Sequence, residues 1–176
     1  MDKNLEEIRK VTEQENYIVP DAKKLAWASM HGLEDWFSGV GNENIIIDWS
    51  AEFLTLYGAA EVLERQNGYD GEDWRASWIV LGDIFSNPII YDSADGCIYV
   101  AKHGMGSWTP TKLAPNLEGF IKIIRLWCDL FYIEFKGDIL DEDFEVVGEF
   151  MSKFLKGVKR ISGDEFLEGM NIAIKG

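Results

Sequence analysis

Between Trp78 and Phe131 the chain alternates short apolar runs with turn chemistry and then changes to a helical period, an order that few folds accommodate. Trp78, Ile79, Val80 and Leu81 are β-branched or large apolar residues that stop at Gly82 and Asp83; Pro88, Ile89, Ile90 and Tyr91 resume the pattern after a polar break. Ser93-Ala94-Asp95-Gly96 has the composition of a tight turn, with Gly96 available for positive φ, so Cys97 to Ala101 reads as the returning strand. His103-Gly104-Met105-Gly106-Ser107 is a second break. Trp108 to Leu113 follows as a last strand, and Pro110, which cannot donate to a ladder, predicts that this strand is an edge.

The helix that closes the unit is the sharpest local signal. Asn116 suits an N-cap, Glu118 suits the positive end of the dipole, and Leu117, Phe120, Ile121, Ile124, Trp127, Cys128 and Phe131 recur on one stripe. Packing that stripe on the meander hides a sheet face and a helix face together. We therefore expect a single α+β domain, a mostly antiparallel twisted sheet packed against helices.

Elsewhere, Asn4 to Glu15 reads as a helix, and Asp21 to Phe37 as another that Gly32 divides. Asn44 to Trp49 is a short strand; Phe53 to Tyr57 is strand or helix on periodicity alone; Ala59 to Gln66 is a helix ending at Asn67-Gly68. Tyr69 to Trp74 then forms an exposed acidic loop. From Asp129 to Glu149, Asp129, Glu134, Asp138, Asp141, Glu142, Asp143, Glu145 and Glu149 face only Lys136, and carry half of the net charge of −14. We expect a helix to start in this run with Asp141 as its cap and Phe144, Val147, Met151, Phe154, Leu155 and Val158 as its stripe. A turn or two of helix opens at Ser162-Gly163, and Asn171 to Ile174 reads as a final strand.

Composition narrows the function. A chain of 176 residues suits one domain that buries about two thirds of its unfolded surface. No basic-then-apolar leader and no bilayer-length apolar run occurs, so the expectation is a soluble cytoplasmic protein without membrane contact. Cys97 and Cys128 sit among apolar neighbours without CxxC spacing, which fits core thiols and a reducing compartment better than a disulfide framework or a zinc site. Lys and Arg do not cluster enough to neutralise phosphates, so direct nucleic-acid binding is not expected. Asp138, Asp141 and Asp143 lack calcium-loop spacing, and no phosphate-cradling glycine loop is present, so no metal or cofactor is expected. His31 and His103 are the only histidines. A Cys97–His103 pair is conceivable but has no evident orienting carboxylate, and no catalytic residue is assigned.

The tryptophans divide by register. Trp27, Trp36, Trp78 and Trp127 lie in apolar stripes and belong in a core. Trp49, Trp74 and Trp108 lie near breaks, and with Asp70, Glu72 and Asp73 they compose the candidate partner-binding site, since aromatic residues beside carboxylates anchor protein interfaces. Acidic charge has a sufficient explanation in solubility and helix dipoles; the sharper reading is an acidic face that receives a basic partner.

The order Phe53-Leu54-Thr55-Leu56-Tyr57-Gly58, Val62-Leu63, Ile79-Val80-Leu81-Gly82-Asp83, Ile89-Ile90-Tyr91-Asp92, Gly96-Cys97-Ile98-Tyr99, His103, Trp108 and Leu113-Ala114 before Phe120 resembles the SUKH superfamily, which includes yeast regulators of cell-wall synthesis and many bacterial immunity proteins. The likeness spans residues 51 to 128 and favours strand for Phe53 to Tyr57. It departs at Ile84-Phe85-Ser86-Asn87-Pro88, which replaces the usual glycine-rich turn, and at Val19-Pro20-Asp21, which only hints at the usual leucine-proline opening. Residues 1–50 then read as a divergent helical N-terminal part and 132–176 as an acidic helical C-terminal extension. The resemblance implies a non-catalytic immunity protein that neutralises a cognate toxin, such as a basic nuclease domain, by stoichiometric binding. The alternative is a regulatory or scaffold protein of the cell-wall-control kind with endogenous partners; a Cys97/His103 hydrolase is a third reading.

Overall fold

The apolar runs pair in the order in which they occur. The computed structural model describes residues 3–69 and 72–175. Among these, β1 (Ile45–Trp49), β2 (Glu52–Leu56), β3 (Trp78–Ile84), β4 (Asn87–Asp92), β5 (Ile98–Val100) and β6 (Thr111–Ala114) form one sheet in chain order, antiparallel throughout. The fold is thus an α+β meander. Gly82 makes the β2–β3 pairing possible, because a Cβ there would lie 2.2 Å from the Thr55 carbonyl oxygen. On its other side, the β3–β4 pairing carries a bulge between Val80 and Gly82.

Helices α1 (Lys3–Val11), α2 (Ala22–His31), α3 (Glu34–Val40), α4 (Ala59–Gln66), α5 (Leu117–Cys128), α6 (Gly148–Ser162) and α7 (Leu167–Lys175) complete the described chain. The Asp21 carboxylate caps α2 by accepting from Lys24 N at 3.0 Å, and Gly32, at φ 70°, ends it and divides it from α3 as expected. Asn116 caps α5 by accepting from Gly119 N at 2.8 Å. A π-helical turn, Asp129–Glu134, prolongs α5. None of these helices is long and apolar enough to cross a membrane.

One continuous core runs from Leu5 and Ile8 on α1 through the sheet to Phe150, Phe154 and Val158 on α6 and Met170 and Ile174 on α7. Alternation along β4 divides the sheet: Ile89 joins this core, whereas Ile90 faces the other way into a small cluster with Trp78 and Ala101.

Several expectations change. Trp49 is 1% exposed, stacked on Trp127 at 4.0 Å, with its Nε1 donating to the Ala173 carbonyl at 2.7 Å. It is a core residue, excluded from any interface, because α7 folds back over it. Asn171 to Ile174 is helix, not strand: Met170, Ala173 and Ile174 bury at helical spacing within α7. Asp141 caps a turn and not a helix, its Oδ1 accepting from Asp143 N and Glu145 N while Leu140 bridges Val146, so α6 starts only at Gly148 and Phe144 leaves its stripe. The first helix ends at Val11, short of Glu15; Trp27 is half-buried; and the last strand starts at Thr111, just after Pro110.

The sheet is closed at both sides. Trp49 and Glu52 pair across the β1–β2 turn, so the N–H and C=O groups of Ile46 and Asp48 point to the free side of β1. Side chains occupy all four. The Gln14 amide accepts from Ile46 N and donates to Ile46 O; Tyr132 Oη accepts from Asp48 N at 2.9 Å; Trp127 Nε1 donates to Asp48 O at 2.8 Å. At β6, the predicted edge, α7 packs so closely that a Cβ on Gly169 would lie 2.1 Å from the Lys112 carbonyl oxygen.

Candidate functional site

Around the small Trp78–Ile90–Ala101 cluster, α4 and two loops build a second surface. Where β2 leaves β3, the Gln66 amide takes its place, donating to Trp78 O at 2.9 Å and accepting from Val80 N at 3.2 Å. That pins the end of α4 to the strand and sets Tyr69 beside the following loop. Trp74 lies 4.5 Å from Tyr69, 5.2 Å from Trp78 and 5.5 Å from Trp108, edge-on to both tryptophans. Trp78 is fixed beneath them, its Nε1 donating to buried Asp92 at 2.9 Å, with the Arg75 guanidinium 5.1 Å over its ring.

Trp108 arrives on the β5–β6 loop. His103 N donates to Asn87 Oδ1 at 2.8 Å, holding the base of that loop, and Gly104 and Gly106 take φ of 79° and 76°, which glycine adopts without strain. The loop leaves Met105 66% exposed at its tip. Two hollows flank it and share His103 and Trp108. One, about 250 Å³, is bounded by Glu72, Asp73 and Met105; the other, about 600 Å³, by Glu61, Glu64, Arg65 and Tyr69.

The rim is acidic on balance. Glu61, Glu64, Glu72 and Asp73 stand against Arg65 and Lys102, and Arg65 is already paired with Glu61 at 2.6 Å. Inside the rim, burial raises the Tyr57 hydroxyl pKa above the ordinary tyrosine range, and donation to the Asp83 carboxylate adds to it. Burial likewise raises Tyr69. The Trp74 indole N–H is buried and meets no acceptor among the described residues.

Of the six residues expected to bind a partner, Glu72, Asp73, Trp74 and Trp108 converge on this face. Trp49 does not, and Asp70 lies outside the described residues. Tyr69, Glu61, Glu64, His103 and Met105 were not anticipated. Glu61 and Glu64 lie on α4 and Tyr69 follows it by three residues, so these were within reach of local reading; His103 and Met105 join only through the fold.

Cys97 and His103 do not meet. Asp92 N bonds to Cys97 O and His103 N bonds to the Asn87 side chain, so the two sit at opposite ends of β4, on the order of 15 Å apart at strand rise. Burial and the Asp95 charge both raise the Cys97 thiol pKa, which disfavours a thiolate nucleophile, and burial pushes Cys128 up to about 12. No group of three His, Cys, Asp or Glu residues able to hold a metal occurs among the described residues. No protein-family model, curated protein or solved structure matches the chain.

Proposed function

We propose that this chain is a non-catalytic binding protein that occludes a protein partner through the Tyr69–Trp74–Trp108 face. The observation that carries the reading is a half-buried aromatic cluster held on a rigid sheet and rimmed by Glu61, Glu64, Glu72 and Asp73. Aromatic anchors with acidic surrounds suit a basic partner, whose arrival the rim charge steers and whose departure the aromatic contacts slow. Within this class, the SUKH-like spacing favours an immunity protein that blocks a basic toxin domain in the cytoplasm.

The test is affinity capture from source-cell lysate with the tagged chain and its Trp108→Ala variant, followed by co-expression of the captured protein. We expect a basic partner in one-to-one ratio, lost with Trp108→Ala at unchanged thermal stability, and rescue of growth if that partner is toxic. Equal capture by the variant would reject the face. A captured partner that is harmless to cells would favour the regulatory alternative.

A further inference from the structure

At the same end of the sheet, but on its core side, lies a groove of about 460 Å³ lined by Ala51, Phe85, Phe144, Val146, Met151 and Ile174. Three residues that edge it, Ser50, Phe85 and Phe144, hold left-handed backbone, with φ of 55°, 53° and 61°. Bulky side chains rarely tolerate that conformation, and the strain is sustained only where surrounding structure fixes it. Phe144 is the extreme case. It is 74% exposed, at the tip of the arm that Asp141 and the Leu140–Val146 bridge hold rigid. Folding gains little from an aromatic ring kept in water by a strained backbone.

The charge on the arm beside the groove is acidic. Between residues 138 and 149 six carboxylates occur and no Lys or Arg. Glu142, Asp143 and Glu145, on the same arm as Phe144, form no ion pair among the described residues, and Lys175 is the one cation among the residues that line the groove. Apolar walls select a bulky apolar side chain, and unpaired carboxylates select cations around it. We infer that the groove is a second binding site, for a short basic segment of another protein that inserts one large apolar residue between Phe85 and Phe144.

The probe is a fluorescein-labelled hexapeptide of Lys and Arg with a single central Trp, followed by fluorescence anisotropy. Replacing the peptide's Trp by Ser is expected to weaken binding roughly tenfold or more, and so is Phe144→Asn, since Asn keeps the left-handed backbone but removes the wall. Thermal stability of Phe144→Asn should be unchanged or higher. Glu142→Gln with Glu145→Gln should weaken binding and flatten its salt dependence. Equal affinity for the Trp and Ser peptides would reduce the effect to charge attraction and overturn the proposal. So would unaltered binding by Phe144→Asn, or a wild-type dimer that this variant dissociates, which would make a second copy the occupant. Trp108→Ala should leave peptide affinity intact, so the failure of either site is separable from failure of the other.

Discussion

Removing the plugs on β1 should convert a closed sheet into one that pairs with itself. Gln14→Ala frees both backbone groups of Ile46, and Tyr132→Phe strips Asp48 N of its acceptor and the Asp48 carboxylate of a hydroxyl donor at 2.7 Å. The Gln14 bonds lie at an exposed position where water can substitute, so their loss costs about 1 kcal/mol. The Tyr132 bonds are partly buried, and stranding their partners costs about 1–3 kcal/mol. The two side chains act on different backbone groups, and near-additivity gives about 2–4 kcal/mol for the double variant.

The structural consequence is larger than the energetic one. Ile46 and Phe53 are already exposed on the outer surface of the β1–β2 pair, so an open ladder would lie beside apolar side chains, the arrangement that templates edge pairing. Urea denaturation reads the stability change, and sedimentation equilibrium over a concentration series reads association. We expect a lower midpoint at an unchanged slope and a monomer–dimer equilibrium absent from the parent. A double variant that stays monomeric with the parental midpoint would show that these side chains do not guard the edge, and the reasoning would fail.

Two glycines in helices give opposite outcomes: Gly169→Ala forces a Cβ against the Lys112 carbonyl and should cost about 2–3 kcal/mol, whereas Gly148→Ala meets nothing within 4 Å and should gain up to about 1 kcal/mol, both read from denaturation midpoints. Trp49→Ala should cost about 3–5 kcal/mol, because it empties the stack on Trp127 and strands the Ala173 carbonyl; a fold as stable as the parent by denaturant titration would return Trp49 to the surface. Tyr57 and Tyr132 hold their protons more tightly folded than unfolded, burial being the larger cause in each. Their contribution is therefore complete below about pH 10, the unfolded tyrosine value, and is lost as pH rises beyond it, since the unfolded chain releases the proton first. Tyr57→Phe should flatten the alkaline fall in stability measured by urea titration between pH 9 and 11, and an unchanged fall would reject the assignment.

Segments whose burial follows from their own spacing were readable in advance. The stripe of α5, the paired apolar runs of β3 and β4, and the division at Gly32 all depend on neighbours within a few residues. Misreadings share a different cause. Trp49 looked exposed because it sits at a turn, and nothing local shows that a carbonyl 124 residues away receives its indole. Asn171-Ile172-Ala173-Ile174 has β-branched composition, yet its helical spacing with Met170 prevailed once α7 had a sheet to cover. Asp141 had the chemistry of a helix cap and spent it on a turn, which the Leu140–Val146 bridge dictates. At the candidate site, Trp74 and Trp108 were visible as aromatic residues near breaks, but their convergence with Tyr69 and His103 needs the β5–β6 loop to fold over α4.

With side chains filling β1 and α7 lying against β6, strand addition is disfavoured, so the partner binding proposed above would draw its affinity from side-chain surfaces. In an antiparallel meander the β1–β2, β3–β4 and β5–β6 connections all fall at one end. Those connections carry Ser50 and Ala51, Phe85, and His103 to Trp108, so the aromatic face and the Phe144 groove flank the same end of the sheet from opposite sides. A single partner that straddles this end engages the second surface intramolecularly once the first is bound, at an effective concentration set by its own rigidity. Trp108→Ala and Phe144→Asn would then each remove most of the affinity for the full partner, and the double variant would lose little more than either alone. Two separate partners give the opposite pattern, each variant abolishing one complex and sparing the other, and a double-mutant cycle on the captured protein decides between them.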